Sequence, residues 1–337
     1  MTDVLAYPGQ RASAIVISAI GLCQRRAAQA LGATGLEVQI WTDFAGPAPS
    51  RPAAMLVLDL DLDPAASPEA LVAKARKAVP QVPIIVVAGV QAEARLLEAL
   101  TQRDVNDAIP KRGAGRASTQ PGTQGPAWPD EHALYSAVRR RLWGIRGVRS
   151  SLLDRALRLD MRVASSGERH PVIARIAGVL RGMSLPDEKI ARVELMCEEL
   201  VMNALFDAPR NGERPRFADI ARMIDVRLPE HEAATLRFGT DGQAVVISVA
   251  DPFGALDKHS VLARLRQVVD GPALPRSGIS AGVGLVMVYA VANQLIFEVQ
   301  PGELTEVTAV LHVAGTTRDI QERGTSLHFH RQAKVPT

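Results

Sequence analysis

Only two of the 337 residues are cysteines, Cys23 and Cys197, and they lie far apart within apolar helical patterns. That excludes a disulfide framework and points to two buried free thiols in a reducing compartment. A large excess of charge is also missing. The formal net charge is +3, too small for nucleic acid to be the main partner. No uninterrupted apolar run reaches membrane-spanning length, and no signal peptide is visible, so a cytoplasmic protein is expected. Leu327-His328-Phe329-His330-Arg331 sets two histidines at strand spacing, but no cysteine or carboxylate cluster accompanies them, which argues against zinc. What is present is an ordinary globular composition, 47% apolar and 22% charged, in a chain long enough for two domains.

Strand and helix patterns alternate over residues 1–112. Short apolar runs at 14–18, 36–41, 54–59 and 84–88 suit strands, and a further strand is expected at 105–111. Helices are expected over 22–31, ended by Gly32, from Ser67-Pro68-Glu69 onward, and over 93–100. This alternation implies a parallel sheet covered on both faces, with any ligand chemistry at the carboxyl ends of its strands. Residues 113–129 turn to Gly, Ser, Thr, Gln and Pro without periodicity, so a flexible linker is expected there, cut first by protease. A connecting helix follows at 130–143. Its Arg139-Arg140-Arg141 run, with Arg146 and Arg149, reads as a solvated face, with a phosphate or acidic-partner contact as the alternative.

From 151 to 337 the pattern changes. An alternating edge strand at 157–163 precedes a helix at 171–181, and His170, before a proline at that helix start, reads as an exposed turn residue. Leu185-Pro186-Asp187-Glu188 has a helix start's proline and acids. Val193, Met196, Leu200, Val201 and Leu205 then recur at helical spacing, which predicts helix through Asp207. Glu199 and Asn203 are four apart and share a face, where a carboxylate and a carboxamide can orient a water and ligate a hard cation such as Mg2+. A polar loop is expected at 210–222. Strands at 225–228, 234–238 and 243–249 follow, with Thr240-Asp241-Gly242-Gln243 as the hairpin turn. The last of these delivers Asp251, followed by Pro252-Phe253-Gly254. Gly278, Gly282 and Gly284 then open a helix at 285–291, where phosphate oxygens can approach backbone amides. Strands at 296–300 and 306–313 flank Pro301-Gly302.

This order of Glu/Asn helix, strand-borne Asp and glycine-rich loop resembles the GHKL (Bergerat) nucleotide-binding fold. That group includes histidine kinases, anti-sigma-factor serine kinases, gyrase, Hsp90 and MutL proteins. The likeness covers about the second half of the chain. It is nearer the anti-sigma serine-kinase branch, because no helical hairpin with a phosphoacceptor histidine precedes the Glu/Asn helix. The resemblance implies ATP and Mg2+ as ligands, with Asn203 holding the metal and Asp251 accepting from the adenine amino group. An ionised carboxylate there rejects a carbonyl, so adenine is preferred to guanine. It further implies that Gly254, Gly278, Gly282, Gly284 and Thr305 bound the nucleotide, and that Glu199 polarises a partner hydroxyl or a water. Residues 258–276 would form a mobile lid, with Lys258 and Arg276 in reach of phosphates. A regulatory protein partner is implied, and a homodimer stays open. Pro252 and Phe253 depart from the family's glycines, and Phe206 stands where a polar residue is usual. These departures favour the alternative, a non-catalytic pseudo-kinase interaction module.

The first half looks like a response-regulator receiver, with Asp59 at the phosphoacceptor position and Lys111 at the phosphate-binding lysine. Ser18-Ala19 stands in place of the acidic pair that holds Mg2+, and Ala88-Gly89 in place of the hydroxyl residue. No divalent ion can then offset an incoming phosphoryl group. A degenerate receiver serving as an interaction surface is expected, with Asp59 unphosphorylated. The fold expected is therefore α/β: a receiver-like doubly wound parallel sheet at 1–112, an insertion and connecting helix at 113–150, and a GHKL-type α+β sandwich at 151–337.

Overall fold

The computed structural model describes residues 12–49, 51–89, 92–112, 128–153, 155–212, 214–217, 220, 224–269, 283–314 and 324–332. The linker expected at 113–129 falls almost wholly outside these residues, as do Gly278, Gly282 and Arg276. The chain divides into two compact units, Met1–Arg146 with Gln321–Leu327, and Gly147–Ile320 with His328–Thr337. No helix among the described residues is long and apolar enough to cross a membrane.

In the first unit β1 (Ser13–Ile17), α1 (Gly21–Gly32), β2 (Glu37–Trp41), β3 (Ala53–Asp59), α2 (Pro68–Ala78), β4 (Ile84–Gly89), α3 (Glu93–Leu100) and β5 (Val105–Arg112) alternate as expected. The strands form a parallel sheet in the order β2-β1-β3-β4-β5, and a two-residue β6 (Trp128–Pro129) runs antiparallel on β5. β1 is buried along its whole length, which is why it reads as a continuous apolar run. Ala14, Val16, Met55, Val57 and Val87 pack in one cluster with Cys23, Ala27 and Leu31 of α1 and with Ala133, Leu134, Ala137 and Val138 of α4 (Glu131–Trp143). Asp130 caps α4 by accepting from the amides of His132 and Ala133, and Gly144 at φ +61° ends it. The arginine run on α4 is structural in part. Arg141 forms two hydrogen bonds to the fully buried Asp107, at 2.8 and 2.6 Å, and Arg140 is buried beside Ser136.

The chain reverses its winding between β1 and β3, and there the carboxyl ends of the strands assemble a closed polar cluster. The ammonium of Lys111, 0% exposed, lies between Asp59 Oδ1 at 2.5 Å and Asp61 Oδ2 at 2.8 Å. Ser18 Oγ donates to Asp59 Oδ2 at 2.7 Å, and the amides of Asp61 and Gly89 each donate at 3.0 Å to Asp59 Oδ1 and Asp61 Oδ2. Burial alone would lower the Lys111 pKa, but Asp59 and Asp61 outweigh it and hold the ammonium above its ordinary value. Both oxygens of Asp59 are engaged, and the residue is 1% exposed.

In the second unit β7 (Leu157–Val163) is followed by α5 (Arg169–Gly182) and α6 (Asp187–Met202), then a two-residue pair β8 (Arg210–Asn211) and β9 (Arg214–Pro215). Next come β10 (Ala234–Thr240), β11 (Ala244–Asp251), α7 (Lys258–Val269), α8 (Val283–Val291), β12 (Gln294–Gln300), β13 (Leu304–His312) and, from His328 on, the rest of β14 (Ser326–Arg331). The sheet order is β14-β12-β13-β11-β10-β7, and the pairs from β12 to β7 are antiparallel. One face of this sheet carries α6, flanked by α5 and α8. On the other, Ala244, Val246, Ile296 and Val310 pack with Val148 and Leu152.

Three expectations give way here. Residues 225–228 form no strand and contribute a single bridge, Arg227 to Ser165, fixed by the Ser166 hydroxyl donating to Asp225 at 2.6 Å. The stretch expected as loop at 210–222 begins with β8 and β9. His170, exposed as expected, stands inside the first turn of α5 rather than before the helix.

Candidate functional site

The first turn of α6 carries Asp187 and Glu188, where its unsatisfied amides favour negative charge. Ile190, Val193, Met196, Leu200 and Val201 form the buried face anticipated from their spacing. The helix does not continue regularly to Asp207. From Asn203 to Asp207 it widens into a π turn, closed by the amide of Ala208 donating to Asn203 O at 2.9 Å. This turn brings both Asn203 and Asp207 to the wall of a cavity of about 420 Å3. Asn203 Oδ1 is buried and has no hydrogen-bond partner among the described residues.

The floor of the cavity is the sheet. Asp251, at the end of β11, pairs in register with Thr305 of β13, and Val249 with Val307, and all four line the cavity. Asp251 is 6% exposed and forms no ion pair among the described residues. Burial pushes its carboxyl from 3.8 up to about 7, against the pull of the Phe253 amide, the Thr305 hydroxyl and the Gly254 amide. The Phe253 amide donates to Asp251 Oδ1 at 3.0 Å, whereas Thr305 Oγ1, near enough to act on the carboxylate, makes no hydrogen bond of full geometry. Two buried oxygens with unfilled hydrogen-bonding capacity therefore face one space.

The remaining walls are Ala255 to Asp257 with Ser260, Val261 and Arg264 of α7, Leu285 of α8, and Arg210 and Pro215 of the β8–β9 pair. Asp257 caps α7, its Oδ2 accepting from the amide and the hydroxyl of Ser260 at 2.9 and 3.1 Å. Sequence reasoning did not single out Asp207, Arg210, Asp257, Ser260 or Arg264. The apolar period in α7, with Val261, Leu262 and Leu265 buried, was the signal available, since it leaves the flank beside Val261 polar.

Asn203, Asp251 and Thr305 thus share one site. Glu199 and Gly284 do not line it. Gly284 lies in the first turn of α8, and a Cβ there would collide with the Glu199 carboxylate, so this glycine lets α8 close on α6. Gly254 is likewise a packing position. Its φ is +58°, and a Cβ would run into the backbone of Gln300, Gly302 and Glu303 in the β12–β13 turn. We expect Gly254→Ala to cost on the order of 3 kcal/mol or more, through a left-handed backbone and a clash with main-chain atoms that cannot move away. Thermal unfolding of the variant checks this; a loss below about 0.5 kcal/mol, as for a neutral surface change, would contradict the packing.

The bulky departures do not fill the cavity. Phe206 is buried edge-on against Phe217, ring centroids 6.1 Å apart, and neither Pro252 nor Phe253 lines the space. Lys258, expected near phosphates, sits with its ammonium 5.6 Å from the centre of the Phe329 ring.

The sequence matches no protein-family model and no curated protein. Among solved structures it is similar to a chain in the crystal structure of the SiaB-SiaC complex from Pseudomonas aeruginosa, at 16% identity and TM-score 0.31, over 47% of this chain and 90% of that one. It is also similar to a fungal multi-domain GH3 beta-N-acetylglucosaminidase with a GCN5-related glucosamine N-acetyltransferase region, at 12% identity and TM-score 0.22, over 73% of this chain and 25% of that one. Likenesses of this size assign neither an activity nor a partner.

Proposed function

We propose that the second unit binds an adenine nucleotide with a divalent cation in this cavity, and that the protein is a signalling module whose contact with a regulatory partner depends on that binding. The observation that carries the reading is Asp251, a buried carboxylate without a cationic partner among the described residues, placed on the floor of an accessible cavity. Such a group costs stability unless a ligand completes its hydrogen bonds. An ionised carboxylate accepts from an amino group and repels a carbonyl, which selects adenine over guanine.

The donor set also fits a hard cation. Asn203 Oδ1 is a buried oxygen without a partner among the described residues, and Asp207 lines the same cavity one π turn later. Three aspartates, Asp207, Asp251 and Asp257, face two arginines, Arg210 and Arg264, so a polyphosphate needs a cation to offset its charge. Magnesium would supply that neutralisation, held by Asn203 and by water. Glu199 packs against Gly284 and is not on the cavity wall, which supports nucleotide binding without phosphoryl transfer by this residue.

The test is a calorimetric titration of ATP, with and without Mg2+, into the wild type and Asn203→Ala. The expected result is that the substitution weakens ATP binding about tenfold with Mg2+ present and little without it. Equal losses under both conditions would contradict a metal-linked role for Asn203.

A further inference from the structure

The inference that goes furthest concerns the anionic end of the ligand, and it rests on the nucleotide reading above. The sequence points to the glycine-rich loop and Lys258 for the phosphates. In the folded unit the space at Gly284 is taken by the Glu199 carboxylate, and Lys258 lies over Phe329. Among the described residues the cationic side chains that line the cavity are Arg210 of β8 and Arg264 of α7.

Arg264 does not reach the cavity by accident of exposure. Asp257, Ser260, Val261 and Arg264 all line it, and their spacing of three, four and seven residues is one continuous face of α7 and its cap. Along that face Asp257 is occupied in capping the helix through Ser260. The Arg264 guanidinium has no hydrogen bond and no ion pair among the described residues, although it stands on a wall that includes acidic groups. Both arginines are exposed, whereas Asp251 and Thr305 on the floor are 6% and 2% exposed. The cavity therefore has a buried end suited to a neutral ring with donors and an open end with two guanidinium groups.

We propose that Arg264, assisted by Arg210 from a separate wall, binds the phosphoryl groups of the ligand, so that the cavity selects phosphorylated adenosine over adenosine itself. A guanidinium presents a planar fork of donors that matches two phosphate oxygens at once, which an ammonium cannot reproduce. The role is one of specificity. The base end of the site holds adenosine without it.

The experiment compares adenosine and ADP, each titrated calorimetrically into the wild type, Arg264→Ala, Arg264→Lys and Arg210→Ala. We expect the wild type to bind ADP about tenfold more tightly than adenosine, and Arg264→Ala to erase most of that preference while leaving adenosine affinity unchanged. Arg264→Lys should recover only part of it, and Arg210→Ala should show a smaller loss confined to ADP. Adenosine and ADP weakened equally by Arg264→Ala, or ADP unaffected, would overturn the assignment while leaving the nucleotide reading intact. Binding of adenosine as tightly as ADP by the wild type would overturn it in the same way. Binding of neither compound to the wild type would overturn both.

Discussion

Asp251→Asn should raise the melting temperature of the second unit at pH 8 by several degrees while weakening ATP binding by more than about tenfold. Burial holds the folded carboxyl at about 7, above its ordinary 3.8. The folded state therefore binds the proton more tightly than the unfolded chain does. The stability this group contributes is fully present below about pH 4 and is lost as pH rises through about 7. Above that, burying the ionised group costs on the order of 4 kcal/mol. Asparagine removes the ionisation but keeps an oxygen for the Phe253 amide, whose bond to Asp251 is 3.0 Å. The gain should accordingly be small at pH 5 and grow toward pH 8. A residue that lowers stability yet serves binding is the pattern expected of a functional group. Calorimetric melting at both pH values, with ATP titrations alongside, checks it. Destabilisation at pH 8 would show that the carboxylate has a structural partner.

Lys111→Met should destabilise the first unit by about 3–5 kcal/mol, because it strips the buried Asp59 carboxyl of the ion pair that Lys111 makes with it. Lys111 is 0% exposed and Asp59 1% exposed, so solvent cannot compensate without the site opening. All three tryptophans, Trp41, Trp128 and Trp143, belong to the first unit, so urea unfolding followed by tryptophan fluorescence reports that unit. Adding Asp59→Asn to Lys111→Met should recover much of the loss, since a neutral amide can remain bonded to Ser18 and to the Asp61 amide. A single-variant loss below about 1 kcal/mol would place the ion pair in solvent, as for surface pairs.

The elements whose signal is local were legible in the sequence. The buried runs of β1, β3 and β4 carried their own pattern, the alternation at 157–163 matches β7, and the apolar face of α6 fell where its spacing put it. Asn203, Asp251 and Thr305, far apart along the chain, line one cavity; the order of motifs named the first two, and a likeness to a family threonine the third. What was missed depends on tertiary packing. The apolar period through Leu205 looks helical whether the turn is α or π, so the widening at Asn203 left no trace in sequence. β8 and β9 are two residues each, too short for any pattern. Gly284 reads as a phosphate-binding glycine, and the close approach of the Glu199 carboxylate that its missing side chain allows is visible only in the folded unit. Exposed arginines such as Arg210 and Arg264 are indistinguishable from solvated ones until a cavity wall is built beside them. The place of Phe206 was likewise hidden: its ring lies edge-on against Phe217, and the residue does not line the cavity.

The central claim, that the cavity floored by Asp251 holds an adenine nucleotide, is tested most directly by titrating ATP and GTP into the wild type at pH 8 with Mg2+, by calorimetry. The account predicts saturable ATP binding at millimolar affinity or better, at least about tenfold tighter than GTP, because an ionised Asp251 accepts from the adenine amino group and repels the guanine carbonyl. Equal affinity for the two nucleotides, or no saturable ATP binding at all, would contradict it.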